Sequence, residues 1–387
     1  MSPQSEDPHN VPVPVYIPGE LIADVLSFLP VKSILRLRCV SKTLNSLISD
    51  PFFVKLHLNR SKRKDELKLV QFLEWDKVSF TVFRMSENPP LIFNLPEDSY
   101  HTLKDNVWFN IVGSCNGLIC FYDQCYNYNS VLEMWLRIWN PATRTISEKI
   151  WCSGIGPIES LANFMFGCDN STNTYKVLYF IPFKKQVKVL TLGNKVRRNI
   201  QKSPVKHCSS MNLAHLSGTV NWLAIRKHYS TYDYKNITIE QFVIISLDLG
   251  TETHTQLRPP PGFYEVPFVE PNLSVLMDFL CFSHYFKQTH LVIWQMKEFG
   301  VEESWSQFLK ISYDTLLLDY HFSYFKLLLL CYSEKNDTLF FMNYLESQAV
   351  ICNRRFNRVE KMNRVEGIDR SLLLSGHDHV ESLVWYC

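Results

Sequence analysis

Over the first sixty or so residues the apolar positions fall at helical spacing, and beyond them they do not. Leu21, Ile22, Val25, Leu26 and Leu29 fill one face wider than a lone surface helix needs. Pro18 stands where a first turn tolerates proline and Pro30 ends the helix. Ile34, Leu35, Leu37 and Val40 then mark a second short helix, and Leu44, Leu47 and Ile48 a third. Asp50-Pro51 restarts the chain for a fourth turn through Phe52, Phe53 and Leu56. A unit of roughly 40 residues without disulfides or metal seldom has enough core to fold alone. Its surplus apolar surface calls for a neighbour, and two readings fit: a cap packed on the domain that follows, or a docking module for a second chain.

From Leu67 onward the pattern changes to short apolar runs rich in Val, Ile, Tyr, Phe and Trp and broken by turn residues, which predicts an all-β domain. The runs repeat. A strand ending in a short polar turn occurs at Arg137–Thr143, Val189–Asn194 and Ile245–Thr251, with weaker copies at Val292–Gln295 and Val350–Asn353. Trp139, Thr191, Leu247, Trp294 and Cys352 take the same place in these copies, 52, 56, 47 and 58 residues apart. Each unit also holds an earlier strand, such as Gly117–Phe121, Tyr175–Tyr179, Gly218–Leu223 and Asp337–Phe341. Three or four strands in about 50 residues make one propeller blade. Five units leave Leu67–Met85 and Leu372–Cys387 over, and these are expected to pair across the ring as a sixth blade, which would hide the sheet edges best.

The N-terminal segment resembles an F-box. The match rests on Ile17-Pro18, Glu20-Leu21-Ile22, Val25-Leu26, Leu29-Pro30-Val31-Lys32-Ser33, Leu35, Arg38-Cys39-Val40-Ser41-Lys42 and Leu47-Ile48. It departs at Leu44, where that family commonly carries Trp and an indole would offer more contact area. The resemblance implies binding to a Skp-type adaptor, which links F-box proteins to a cullin and a RING subunit of a ubiquitin ligase. The adaptor-binding residues it implies are Ile17, Pro18, Leu21, Ile22, Val25, Leu26, Leu29, Pro30, Val31, Leu35, Val40 and Leu44. Further on, G-S-C-N-G-L-I-C-F-Y-D from Gly113, I-W-N-P-A-T-R from Ile138, F-G-C-D-N-S-T-N-T-Y-K-V-L from Phe166 and L-S-G-T-V-N-W-L from Leu216 resemble the F-box-associated domain of plant F-box proteins. No kelch double-glycine signature accompanies them. Together the two motifs imply the substrate-recognition subunit of a Skp-cullin-F-box ubiquitin ligase; the alternative is a non-degradative scaffold that pairs with the adaptor.

The expected fold is mostly β with an N-terminal α module, a short helical F-box followed by an irregular six-bladed β-propeller. Residues 1–15, with four prolines, read as a disordered leader, 16–58 as the F-box, 59–66 as a charged linker and 67–387 as the propeller. The basic cluster of that linker is compatible with nuclear import but reads first as a solvated connection.

Composition narrows the function classes. The chain has 387 residues, 46% hydrophobic and 14% aromatic, enough for a large core, and a formal charge of +2 that argues for no nucleic acid and no anionic membrane. No run of about 18 apolar residues is present, and the N-terminus lacks the basic start and apolar stretch of a signal peptide. A cytosolic or nuclear protein is expected. Eleven cysteines, an odd number scattered through apolar runs, suit reduced thiols, and sequons such as those at Asn59, Asn170, Asn236 and Asn272 should stay unmodified.

Catalytic constellations are not found in the sequence. The twelve histidines form no H-E-x-x-H and pair with no cysteine at ligand spacing, and no G-x-S-x-G occurs. His377-Asp378-His379 is the one compact cluster and reads as a polar turn; Gly154-Ile155-Gly156-Pro157 lacks the later glycine of a phosphate loop. No cofactor, metal or catalytic residue is assigned. Recognition of an unidentified protein target is the expected use of the ring. Two loops, Asp123–Asn129 and His228–Asn236, carry Tyr126, Tyr128, Tyr229, Tyr232 and Tyr234 between corresponding strands of the first and third units. Tyrosine gives broad contact area with a polar tip, so these five are the candidate target-binding residues, with covering the blade below as the alternative. The run Arg258-Pro259-Pro260-Pro261-Gly262 is a further rim candidate or a rigid connection.

Overall fold

The computed structural model describes residues 17–62, 68–73, 78–85, 93–94, 101–103, 109–126, 132–151, 163–181, 186–194, 196–200, 206–207, 213–226, 234–316, 327–334, 337–343, 348–356, 358–362 and 380–385. Four helices open it: α1 (Gly19–Leu26), α2 (Val31–Leu37), α3 (Lys42–Ser49) and α4 (Pro51–Ser61). Pro18 and Pro30 stand immediately before α1 and α2. The other two helices have side-chain caps. Ser41 Oγ accepts the Leu44 amide at 3.1 Å, and Asp50 Oδ1 accepts the Phe52 amide at 2.7 Å with Pro51 at the first helical position. Ala23, Ile34, Ile48 and Phe53 are the fully covered core of this module. Because α4 runs to Ser61, the stretch expected as a linker from residue 59 begins inside a helix. Arg60 there reaches back to α1 and donates to the Asp24 carboxylate and carbonyl and to the Ser27 hydroxyl.

Beyond Phe109 the chain builds five antiparallel blades in sequence order. The first contains Phe109–Cys115, Leu118–Tyr126, Leu132–Asn140 and Thr145–Ile146, with Ile150–Trp151 also on the third strand. The second contains Asn163–Asp169, Thr174–Ile181, Gln186–Thr191 and Arg197–Asn199. The third contains Leu213–Leu216, Thr219–Ile225, Phe242–Asp248 and His254–Leu257, with Lys206–His207 added to its second strand. Asn272–Leu276, Phe279–Phe286, His290–Met296 and Trp305–Ser312 make the fourth, and Leu327–Ser333, Thr338–Asn343, Gln348–Asn353 and Arg358–Met362 the fifth. Every repeat position singled out in the sequence, from Trp139 to Cys352, falls on the third strand of its blade.

Five blades stand where six were expected. Lys68–Leu73 pairs with Val78–Met85, whose other edge takes Phe93–Asn94 and His101–Leu103, so this segment closes a small separate sheet with its own strands. Residues 380–385 run without strand pairing and lie against the first blade instead. Among the described residues these two fragments therefore share no blade.

Four hydrophobic cores lie between consecutive blades. Phe166, Val177 and Leu190 of the second blade meet Cys120, Leu136 and Ile138 of the first; the second and third, third and fourth, and fourth and fifth blades meet in the same way. A sheet covered on both faces has no polar side. All seven residues of Thr219–Ile225 are buried, which is why the sequence shows continuous apolar runs instead of strict alternation. First strands of successive blades touch at the centre of the ring. Gly167 is needed there, because a Cβ on it would strike the His215 ring, whose Nε2 accepts the Cys168 amide at 3.3 Å.

Burial holds His215 and His284 neutral, with their pKa lowered to about 4 in each case. An unfolded histidine titrates near 6.5. Between pH of about 6.5 and 4 the unfolded chain therefore takes up protons that the folded chain refuses, so stability is full above that window and declines as pH falls through it. The loss should reach about 2–3 kcal/mol per histidine. Urea titrations from pH 7.5 to pH 4.5 should show it, and His215→Gln, which keeps an acceptor for Cys168, should flatten the profile by about one proton; an unchanged slope would remove His215 from this account.

Candidate functional site

A recurrent turn builds one face of the ring. Asn140, Asp169 and Asp248 each begin an Asx turn of pattern Asn/Asp-x-x-Thr-x-Thr. Asn140 Oδ1 accepts the amides of Ala142 and Thr143 at 2.9 and 3.3 Å, and Asp248 Oδ1 accepts those of Gly250 and Thr251 at 2.9 and 2.7 Å. Asp169 accepts from Ser171 and Thr172. In each turn the two threonine hydroxyls bond at 2.6 to 2.8 Å across a residue of positive φ: Arg144, Asn173 or Glu252. Burial raises the Asp169 carboxyl, but Ser171, Thr172 and Lys176 donate to it and hold it well below the usual carboxylate range. Lys176, also buried, holds Asp169 Oδ2 at 3.2 Å within its own blade and ties that second blade to the third through Glu252 at 3.4 Å and the Leu249 carbonyl.

Asn140 differs from its two counterparts in being an amide. Its Nδ2 donates to the carbonyls of Ser382 and Val384 at 3.0 and 2.7 Å, which a carboxylate in the same place cannot do. Ser382 is fully buried and donates to the Asn116 carbonyl at 2.7 Å. Gly117 (φ +81°) lies directly beneath, and a Cβ on it would collide with Ser382 Oγ and the Val380 carbonyl. From this clasp Leu383 packs against the helical core beside Leu26, Leu29 and Leu44, while Val384 joins Leu58 of α4 in the core between the first two blades. Residues 380–385 thus fasten the helical module to the ring face that carries the Asx turns.

On the helical module the residues assigned to adaptor binding divide into three groups. Ile17, Pro18, Leu21, Val25, Pro30 and Val40 are exposed; Ile22, Leu26, Leu29, Leu35 and Leu44 are half-buried; Val31 is buried. Leu26, Leu29 and Leu44 serve the module's own core, and Val31 is out of reach of a partner in this conformation. What faces outward is a stripe at helical spacing, Leu21, Val25 (65% exposed) and Phe28. Phe28, in the turn after α1, and Phe52 (75% exposed), in the first turn of α4, were not among the sequence candidates, and no apolar spacing in the sequence singles them out. Arg60 lies 3.9 Å over the Phe28 ring and covers one of its faces.

The opposite face is reached by following the strands. Leu118–Tyr126 starts beside the clasp and runs away from it, so the second strands end, and the third strands begin, at the far side of the ring. Both tyrosine loops connect a second strand to a third. Tyr126 ends the second strand of the first blade; Tyr128, Tyr229 and Tyr232 lie outside the described residues. Tyr234 is half-buried, with its ring 4.7 Å from Phe268 on the segment between the third and fourth blades. In that segment Gly262 passes so close to Trp294 that a Cβ would overlap the indole, and Phe263 enters the core, so the proline run is a rigid connection.

Among the described residues no reactive centre emerges from the titratable groups. Burial pushes the Cys115 thiol up to about 12, aided by Cys168, and burial pushes Cys168 up to about 11, aided by Asp169. Such thiols are protonated and inert at neutral pH. Among the described residues no three His, Cys, Asp or Glu side chains converge as a metal site, and no helix is long and apolar enough to cross a membrane. His377-Asp378-His379 and Gly154–Pro157 lie outside the described residues.

Comparison with known proteins gives a consistent picture. Residues 17–56 match the model of the F-box domain and residues 73–383 that of the F-box associated beta propeller domain. The F-box/kelch-repeat protein At3g23880 of Arabidopsis thaliana is 27% identical over 320 residues, covering 79% of this chain and 80% of the relative. F-box protein CPR1 of the same plant is 24% identical over 318 residues, covering 75% and 72%. Among solved structures, a chain of a nidogen/laminin complex covers 82% of this chain and 99% of its own length at 8% identity, with a TM-score of 0.44, too low to carry an argument.

The clasp is testable at one atom. Asn140→Asp keeps both acceptors of the Asx turn but aims a buried carboxylate at two carbonyls, and should destabilise the chain by about 3 kcal/mol in urea titrations. It should also expose residues 380–385 to proteolysis under native conditions, and a variant as stable and protected as the parent would refute the clasp.

Proposed function

This chain belongs to the family of F-box proteins that carry an F-box associated β-propeller domain, and from that membership we propose that it is the target-holding subunit of a Skp-cullin-F-box ubiquitin ligase. The stripe Leu21, Val25 and Phe28 carries the reading. It is apolar, its residues stay exposed although Arg60 covers one face of Phe28 and residues 380–385 and the first two blades close over other parts of the same module, and it lies where the resemblance puts the adaptor. A Skp-type adaptor seated on it would connect the chain to a cullin and a RING subunit. Target recognition then falls to the far face of the ring, where Tyr126, Tyr128, Tyr229, Tyr232 and Tyr234 belong to two connections of the same type. The chain contributes geometry, not chemistry: it lowers the entropic cost of bringing target lysines to a ubiquitin carrier held elsewhere in the assembly. Its working compartment is the cytosol or the nucleus, where a ubiquitin ligase finds its substrates and the thiols stay reduced.

Size-exclusion co-elution with a Skp-type adaptor tests the proposal. The native chain should shift into a stable complex, and Leu21→Asp with Val25→Asp should weaken the complex at least about a hundredfold while leaving the melting curve within about 0.5 kcal/mol, since both side chains are exposed. Leu26→Asp with Leu29→Asp should instead lower the melting temperature, because these two serve the internal core. Undiminished co-elution of the Leu21/Val25 variant would place the adaptor elsewhere and withdraw the proposal.

A further inference from the structure

On the fourth blade, at the ring face away from the helical module, Phe286 ends the second strand and Lys287-Gln288 turn the chain into the third. Both turn residues have positive φ, 48° and 53°. Consecutive residues of positive φ favour glycine and asparagine, and a lysine held there costs on the order of 1 kcal/mol. The turn is nonetheless fixed. The Thr289 amide donates to the Phe286 carbonyl at 3.0 Å, the Tyr313 amide to the Thr289 carbonyl at 2.9 Å, and the Lys287 amide to the Glu265 carboxylate.

The result is one aromatic ring with two ammonium groups beside it. Lys287 Nζ lies 5.3 Å and Lys310 Nζ 4.8 Å from the Phe286 centroid. Tyr264, 62% exposed, meets the same ring edge-on at 5.5 Å. Neither lysine has an ion pair among the described residues, and the nearby Glu265 is engaged by the backbone of the turn. Two like charges gathered at one ring repel each other, one of them at a backbone position that disfavours it, and the ring supplies cation–π attraction but no negative charge. A partner that brings negative charge would supply it.

We propose that Phe286, Tyr264, Lys287 and Lys310 form the docking point for an anionic stretch of a target protein, carboxylate or phosphate groups meeting the two ammoniums and an apolar neighbour packing on Tyr264. The inference rests on the reading of this chain as a target receptor and gives that reading a partner chemistry. Tyr234 is on the same side of the ring, packed on Phe268, four residues along the chain from Tyr264. A long polyanion such as RNA fits less well, because the chain's formal charge of only +2 provides no extended field and the positive charge here is a single point bordered by Glu265.

The test uses the full chain and fluorescein-labelled peptides of one tyrosine-containing sequence carrying glutamates, glutamines, phosphoserines or lysines, read by fluorescence anisotropy. The glutamate peptide should bind at least about tenfold tighter than the glutamine peptide. Lys287→Glu with Lys310→Glu should abolish that difference and turn the preference to the lysine peptide, which a merely misfolded variant would not do. Phosphoserine binding tighter than glutamate would assign phosphate as the natural anion. Equal binding of the glutamate and glutamine peptides, a difference that survives the charge reversal, or equal competition by a short RNA would each overturn the proposal. Adaptor co-elution of the same samples keeps the two readings apart: a chain that binds the adaptor and ignores the acidic peptide loses only this docking point, whereas a native chain that fails to bind the adaptor loses the receptor role whatever the peptides do.

Discussion

A single buried side-chain amide holds three parts of this molecule at once. Asn140 closes a turn of the first blade with its oxygen and grips two carbonyls of residues 380–385 with its nitrogen, and those residues in turn carry Leu383 to the helices and Val384 to the ring. Hydrogen bonds of this kind gain strength where water is excluded, and the same exclusion makes each of them costly to lose. Asp169 and Asp248 occupy the same place in their own turns without this second function. The direction in which the helices face relative to the blades therefore depends on one nitrogen atom as much as on any apolar contact.

Much of this architecture was legible in the chain. The helical spacing from Leu21 to Leu56 and the recurrence from Trp139 to Cys352 both found their elements, the latter all on third strands, because burial on both faces of a blade leaves a strong and repeated apolar signature. The sixth blade failed for the opposite reason. Val78–Met85 has partners on both edges within its own neighbourhood, and no apolar pattern reveals that a strand is already satisfied. The Asx turns were written in the letters, N-P-A-T-R-T, D-N-S-T-N-T and D-L-G-T-E-T, but the first and last were read only as polar turns and the middle one only as part of a family resemblance.

Side-chain exposure was the harder quantity. Val31, Leu26 and Leu29 sit in the same apolar run as Leu21 and Val25, and only the packing of α2, α3 and residues 380–385 decides which of them face outward. Contacts such as Asn140 with Val384, 244 residues apart, leave no local trace. The Tyr264–Phe286 pair and the two lysines come together through a connection and a turn whose meeting depends on the blade between them. The fastened face, through residues 380–385, keeps the helices oriented on the ring.

Because Leu383 belongs to the core of the helical module, that module is built from two stretches of chain separated by the whole β domain. A ribosome adding about 5–20 residues per second needs roughly 15–60 s to travel from α4 to position 383. Until then the helices lack one of their packing partners, and a nascent or prematurely ended chain presents an unfinished surface to its first partner. Maturation thus has a built-in order, in which helices synthesised ahead of the β domain are completed only after it.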